Sequence, residues 1–332
     1  MTSTPIPETT LPENGTENYD TYHRLLNIFD LVANVIIIVL GLTGNALVIW
    51  IAGFKVRKSV ISIWYLSLAV SDFLFCSFLP FFVFYRITGT WIFGPFLCNI
   101  ICLNISLNLY CSIFLLTIIS VDRCVIVMFP VWAQNQRTLK KAFVIVVLVW
   151  FISAILNVPV LIIPDSENKT VTIETNETCE MSDSAAIPIY DFIFGFVIPF
   201  LIMIACCVII IRKLKTMQMV ASKKPFKIMT ALSATFFICW LPYHIYTLMI
   251  INQKENEVLQ IIGVIGFTLC SANSCLNPFL YAFMGKDFKK QFYAILSKIE
   301  NAMEEEDNQN IDRGTNLTHE ESQHTTTISS VL

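Results

Sequence analysis

The stretch "SVDRCVIVMFP" at 120–130 decides how this chain is read. Asp122 and Arg123 end a run in which no residue from Phe96 to Val121 carries a charge. Charged groups are costly in apolar surroundings. Either the pair marks where a buried helix re-enters water, or it sits inside something that needs it.

The whole chain has the same character. Of its 332 residues only 14% are charged against 55% apolar, far from the balance of a soluble domain of this size. Apolar runs recur at roughly 29–52, 60–85, 96–124, 141–163, 187–211, 227–251 and 258–283, and each suits a membrane crossing of about 20 helical residues. The fold class expected is an all-α membrane protein, a bundle of seven transmembrane helices (spans 1 to 7). A soluble bundle would have to hide nearly every one of these helices on all sides.

Orientation follows from Lys and Arg near the span ends. Eighteen of the 22 fall on one side, including Lys55, Arg57, Lys58, Arg123, Arg137, Lys140 and Lys141, with only Arg24, Arg86, Lys169 and Lys254 on the other. The expectation is a multi-pass plasma-membrane protein with its N-terminus extracellular and its C-terminus cytoplasmic. Glycosylation sequons at Asn14, Asn168 and Asn176 fall outside in that topology, whereas those at Asn104 and Asn316 do not and read as chance matches. The residues before span 1 hold no apolar stretch of signal-peptide type, so insertion is assigned to span 1 itself.

Four segments follow: an extracellular, glycosylated tail at 1–28 expected to be mobile, the bundle at 29–285, an amphipathic helix at 286–299, and a cytoplasmic tail without regular structure at 300–332. Phe288, Phe292, Ile295 and Ile299 give the third segment an apolar face suited to the inner membrane surface. The tail follows "EEED" with Thr315, Thr318, Ser322, Thr325, Thr326, Thr327, Ser329 and Ser330. These hydroxyls form either a spacer or a phosphorylation cluster that becomes strongly anionic when modified.

Most of the eleven cysteines lie inside spans, as small packing residues. Cys98 and Cys179 face the oxidising side, where a disulfide between them is expected, with Cys102 one helical turn from Cys98 as a competitor.

Polar residues within spans each need a partner or a water-filled space. Asp72 has apolar neighbours on both sides in sequence. Asn108 with Ser112, and Asn273 with Asn277, each share a helix face. Such a cluster either holds a monovalent cation or a proton, or is a hydrogen-bonded packing knot; both readings stay open. Asp191, near the start of span 5, points into an outward-opening cavity or reaches for the interface. Trp240, Tyr243 and His244 lie in the outer half of span 6, where rings also serve simply to fill a bundle. No catalytic arrangement, metal-site spacing or phosphate-binding glycine loop is present in the sequence, and beside seven spans the basic segments read as a topology signal and not as a nucleic-acid surface.

These residues, taken together, resemble the rhodopsin-like class of G-protein-coupled receptors from about residue 29 to 298. The carriers are Gly44 with Asn45, "LAVSD" ending at Asp72, Trp91 to Gly94, Cys98, Asp122 with Arg123, Trp150, Pro199, "FFICWLP" at 236–242 and "NPFLY" at 277–281. "FLLTIISVDRC", "FPVWAQNQRT", "KKPFKI", "WLPYH" and "ANSCLNPFLYAFMGKDFKK" are similar to the chemoattractant-peptide branch of chemerin, formyl-peptide and anaphylatoxin receptors.

The resemblance implies a signalling receptor and no enzyme. It implies a sodium pocket of Asp72, Asn108, Ser112, Asn273 and Asn277, with an allosteric sodium ion and no other cofactor. The implied activation switch comprises Asp122, Arg123, Phe236, Trp240, Asn277, Pro278 and Tyr281, and the implied ligand pocket Tyr85, Ser106, Asp191, Trp240, Tyr243 and His244. Implied partners are a peptide or small protein, an inhibitory-type G protein, a receptor kinase, arrestin and the lipid bilayer.

Three departures stand out. Cys207 replaces a family tyrosine in span 5, which favours a scavenging receptor that internalises ligand without G-protein coupling. Ser222 replaces an acid that could hold Arg123, leaving the inner lock expected between Asp122 and Arg123. Asp191 stands where chemerin and formyl-peptide receptors carry arginine, and Ser106 where the latter carry aspartate. With acids abundant in the outer segments, the ligand end is expected to be basic or amphipathic.

Overall fold

The computed structural model describes residues 13–55, 58–158, 186–216, 224–251 and 256–284. Among them there is no strand, and seven helices are long and apolar enough to cross a membrane: Arg24–Lys55, Val60–Thr88, Gly94–Met128, Leu139–Leu156, Ala186–Lys215, Met229–Ile250 and Glu257–Leu280. Helices are the natural solution here, because each satisfies its backbone groups without water. The amphipathic helix at 286–299 and the tail beyond it lie outside the described residues.

One expectation is corrected at the start of the chain. The first helix begins at Glu13, well inside the tail read as 1–28, and runs unbroken to Trp50 before a π-helical turn at Ile51–Lys55. The physical reason is legible in hindsight. No proline follows Pro12 until the second helix, so nothing of that kind breaks the helix once it has started.

Helix ends are set by local chemistry. Ser59 and Ser62 form a reciprocal cap at the start of span 2, the Ser62 amide donating to Ser59 Oγ at 3.1 Å and the Ser59 amide to Ser62 Oγ at 2.8 Å. Gly89 stops that helix with φ of 70°, a left-handed conformation that suits glycine. Span 3 ends at Phe129, and Pro130 opens a short helix, Pro130–Gln136, whose position sets up Arg137. In span 5 a π turn at Ile193–Val197 lies just ahead of Pro199. Proline lacks an N–H and its ring crowds the carbonyl four residues earlier, here that of Gly195, and the wider turn absorbs both.

The lipid-facing and core-facing sides separate cleanly in span 4. Ala142, Val149 and Ser153 are buried along one stripe, while Phe143, Val144, Val147, Leu148, Phe151, Ile152 and Ile155 are exposed. Small residues on the buried stripe let helices approach where lipid offers no hydrophobic drive. The centre is filled by Trp240, Tyr110, Phe75 and Phe236, all but sealed from solvent. Spans 1 and 7 meet closely at Gly44, where a Cβ would lie 3.1 Å from Pro278. There Asn45 Nδ2 donates across to the Ser274 carbonyl at 2.8 Å.

Candidate functional site

Polar side chains gather at three levels of the bundle. Midway, Asp72 is fully buried: Asn108 Nδ2 donates to its Oδ1 at 3.1 Å, and Asn277 Nδ2 to its Oδ2 at 2.8 Å. Asn108 Nδ2 also reaches Ser71 Oγ at 3.2 Å, while its Oδ1 accepts from Ser274 Oγ at 3.4 Å. Spans 2, 3 and 7 therefore share one carboxylate, with no cationic side chain bonded to it. Ser112 Oγ, one turn from Asn108, and both amide atoms of Asn273, one turn from Asn277, are buried with no hydrogen-bond partner among the described residues. Orphaned polar atoms on the same faces as the bonded ones provide oxygen donors suited to a small cation.

Next to this layer, rings stack along span 6. Phe236 and Trp240 lie 5.7 Å apart and nearly parallel, and Tyr243 meets Trp240 edge-on at 5.8 Å. His244 is sealed among Phe192, Phe196, Trp240 and Tyr243, and neither of its nitrogens has a described partner. Asp191 is placed differently from either sequence reading. It is 7% exposed, accepts a 2.5 Å hydrogen bond from the Tyr110 hydroxyl of span 3, and lines neither of the cavities that open at the start of span 1. A tyrosine that nothing in the sequence singled out thus occupies the acid. Ser106 is buried, and Tyr85 packs edge-on against Trp91 at 5.9 Å.

On the face where span 1 begins, a third buried acid appears that the sequence reading missed. Asp30 Oδ1 accepts from Asn34 Nδ2 at 2.9 Å and Thr268 Oγ1 at 3.3 Å, and Oδ2 meets the Arg86 guanidinium at 3.2 Å. This joins spans 1, 2 and 7. The available signal was Asp30 and Asn34 four apart in "FDLVAN", one helix face. Two cavities open beside the pair, about 230 Å³ and about 410 Å³, and both are lined by Asn27, Phe82 and Arg86. Cys98 is disulfide-bonded, nine other cysteines are free, and Cys179 lies outside the described residues.

At the opposite face the expected lock is corrected. Asp122 pairs with Arg137, whose Nε and terminal nitrogen donate to its two oxygens at 2.8 and 2.9 Å, while Arg123 hydrogen-bonds Tyr65 of span 2. Adjacent residues on a helix point about 100° apart, so Asp122 and Arg123 cannot easily face one another. The short helix after Pro130 brings Arg137 back to the acid. Cys207 is in hydrogen-bond contact with Thr230 of span 6. Pro278 is buried against span 1, and Tyr281 lies in the last turn of the final helix.

Asn14 sits in the first turn of the first helix. Asn168, Asn176 and the hydroxyl cluster from Thr315 to Ser330 lie outside the described residues.

Comparison with known proteins places this geometry. The family described as "7 transmembrane receptor (rhodopsin family)" matches residues 44–281. Chemerin-like receptor 1 of Sus scrofa is 37% identical over 305 residues, covering 85% of this chain and 84% of the relative. The C3a anaphylatoxin chemotactic receptor of Oncorhynchus mykiss is 38% identical over 307 residues, 89% and 82%. Formyl peptide receptor-related sequence 4 of Mus musculus is 36% identical over 318 residues, 89% and 98%.

Proposed function

The chain belongs to the rhodopsin family of seven-transmembrane receptors, and on that premise we propose that it is a G-protein-coupled receptor for a peptide or small-protein chemoattractant. Its N-terminus is extracellular and its C-terminus cytoplasmic, in keeping with the placement of 18 of 22 Lys and Arg on one side. The observation that carries the signalling reading is at the inner end of span 3. Arg123 is not paired with its neighbouring acid and, among the described residues, hydrogen-bonds a phenol, Tyr65, so it can be released toward a partner when the spans separate. The partner is an inhibitory-type G protein, and receptor-kinase phosphorylation of the hydroxyl-rich tail followed by arrestin docking ends the signal. Acids in the outer segments steer a ligand with a basic or amphipathic end.

An allosteric sodium ion fits the middle layer, held by Asp72 with Ser112 and Asn273 to complete its oxygens. When bound it supplies positive charge against a carboxylate that otherwise has only amide and hydroxyl donors. Agonist affinity is expected to fall as sodium replaces choline in the medium, and Asp72→Asn to remove that dependence; sodium sensitivity surviving in Asp72→Asn would exclude this site.

Cys207 favours a second reading, a scavenging receptor, since a thiol is a weaker hydrogen-bond donor than the family's phenol. A ligand screen read in parallel by G-protein dissociation and arrestin recruitment separates the two. The signalling receptor gives both responses, with G-protein dissociation lost in Arg123→Ala. Arrestin recruitment alone would select the scavenger.

A further inference from the structure

Three contacts show spans 3 and 5 running side by side in the same direction. The Tyr110 hydroxyl donates to Asp191, a Cβ on Gly195 would lie 3.2 Å from Leu109 Cδ2, and the Cys206 thiol meets the Cys124 thiol. Tyr110 and Cys124 are 14 residues apart, about four α-helical turns, so they share one face of span 3. Asp191 and Cys206 are 15 apart, and the additional residue falls in the π turn at Ile193–Val197. Cys206 thereby returns to the face that carries Asp191. The meeting of the two thiols follows from helix register and not from one side chain's rotamer.

Both cysteines are free thiols. Cys206 is 7% exposed, whereas Cys124 is only partly buried and directly follows Arg123. One sulfur within reach of a small oxidant, with a second poised behind it, is the layout of an oxidisable dithiol. In a reducing compartment such disulfides form transiently and act as redox sensors.

We propose that Cys124 and Cys206 are a modification site for hydrogen peroxide, closing to a disulfide that ties span 3 to span 5 beside Arg123. The Cys124 sulfur gives up its proton and attacks one peroxide oxygen; the O–O bond breaks, leaving a sulfenic acid, and the departing hydroxide takes that proton as water. The Cys206 sulfur then gives up its proton and attacks the Cys124 sulfur; the S–O bond breaks, and hydroxide leaves with that proton as a second water. Two thiols lose two electrons, and one peroxide is reduced to two waters. The new bond fixes the sulfurs about 2.05 Å apart, so the spans cannot part at this level. Arg123 stays on Tyr65, and the oxidised chain does not engage a G protein. That effect on coupling rests on the signalling reading above; the crosslink does not.

The test uses the full chain in inside-out membrane vesicles, treated with hydrogen peroxide and then with N-ethylmaleimide to cap remaining thiols. Peptide mass spectrometry without reduction is expected to find Cys124 joined to Cys206. Thioredoxin added outside the vesicles should reverse the crosslink and leave Cys98 in its disulfide. Capture of a nucleotide-free inhibitory-type G protein by the same vesicles should fall in proportion to the crosslinked fraction and recover with thioredoxin. Cys124→Ala and Cys206→Ala should each form no crosslink and keep their capture after peroxide. If either variant fails to reach the membrane, the other answers the same question. Thiols that are both capped after peroxide, or oxidised separately without joining, overturn the inference, and so does a crosslink that leaves capture unchanged. Untreated vesicles that capture no G protein overturn the signalling reading, while the mass measurement still decides the dithiol.

Discussion

Two arginine–aspartate pairs close the two ends of this bundle, and they spend the guanidinium differently. At the end where span 3 finishes, Arg137 gives two donors to both oxygens of Asp122, at 2.8 and 2.9 Å, and the side chains are 25% and 15% exposed. At the end where span 2 finishes, Arg86 makes one contact at 3.2 Å, its acid is 7% exposed, and the arginine itself is 38% exposed. The first is a bidentate clasp between a span and the short segment that follows it. The second is a buried acid holding a half-solvated cation. A two-pronged contact suits a hold that must last until displaced, whereas a single contact on an exposed arginine serves chiefly to neutralise the buried acid.

The asymmetry of the Arg86–Asp30 pair is the sharpest place to break the comparison. Arg86→Ala strands Asp30 inside the bundle, and thermal unfolding of the detergent-solubilised chain should show a loss of about 3 kcal/mol. Asp30→Asn leaves an arginine that can turn to water, and should cost about 1 kcal/mol after solvent screening. Equal losses would show that the two partners are equally buried in practice.

Breaking the Asp122–Arg137 clasp should leave stability less affected and signalling more so. Asp122→Asn or Arg137→Ala removes a bidentate charge-assisted pair near the solvent boundary, about 1 kcal/mol. Ligand-independent G-protein dissociation should rise severalfold in both, a population shift of about that same free energy. If Arg137→Ala leaves the basal signal unchanged while Asp122→Asn raises it, the acid acts through another partner.

The smallest effect is expected at Cys207, where the inner ends of spans 5 and 6 meet through Thr230. Cys207→Tyr supplies a stronger donor there and should raise agonist-driven signalling by about twofold, a few tenths of a kcal/mol. No change in basal or driven response would remove Cys207 as a determinant of coupling.

Much of this architecture was legible in the sequence because hydrophobic length and same-face spacing are one-dimensional properties. The seven spans follow from them, as do the shared faces of Asn108 with Ser112 and of Asn273 with Asn277, whereas only the family resemblance brought these residues to Asp72. Partners across helices are a different matter. Arg137 carried a topology signal in the sequence, and nothing in its spacing from Asp122 revealed that Pro130 would start a short helix and return it to that acid. Tyr110 and Asp191 lie 81 positions apart, and their meeting depends on how spans 3 and 5 are rotated. Asp30 was hidden by its location near the boundary assigned to span 1, where a charge needs no explanation if the helix is taken to start at residue 29.

The π turn at Ile193–Val197 has a bearing on that rotation. A turn of this kind holds one residue more than its α-helical equivalent, which swings everything on its N-terminal side by about 100° around the helix axis. Asp191 lies on that side, so its aim at Tyr110 is a property of the inserted residue as much as of the aspartate. Counting back from Pro199 thus assigns Asp191 a position in sequence but not a direction in space, and a relative without the turn would show a different wall to its ligand from the same column of residues.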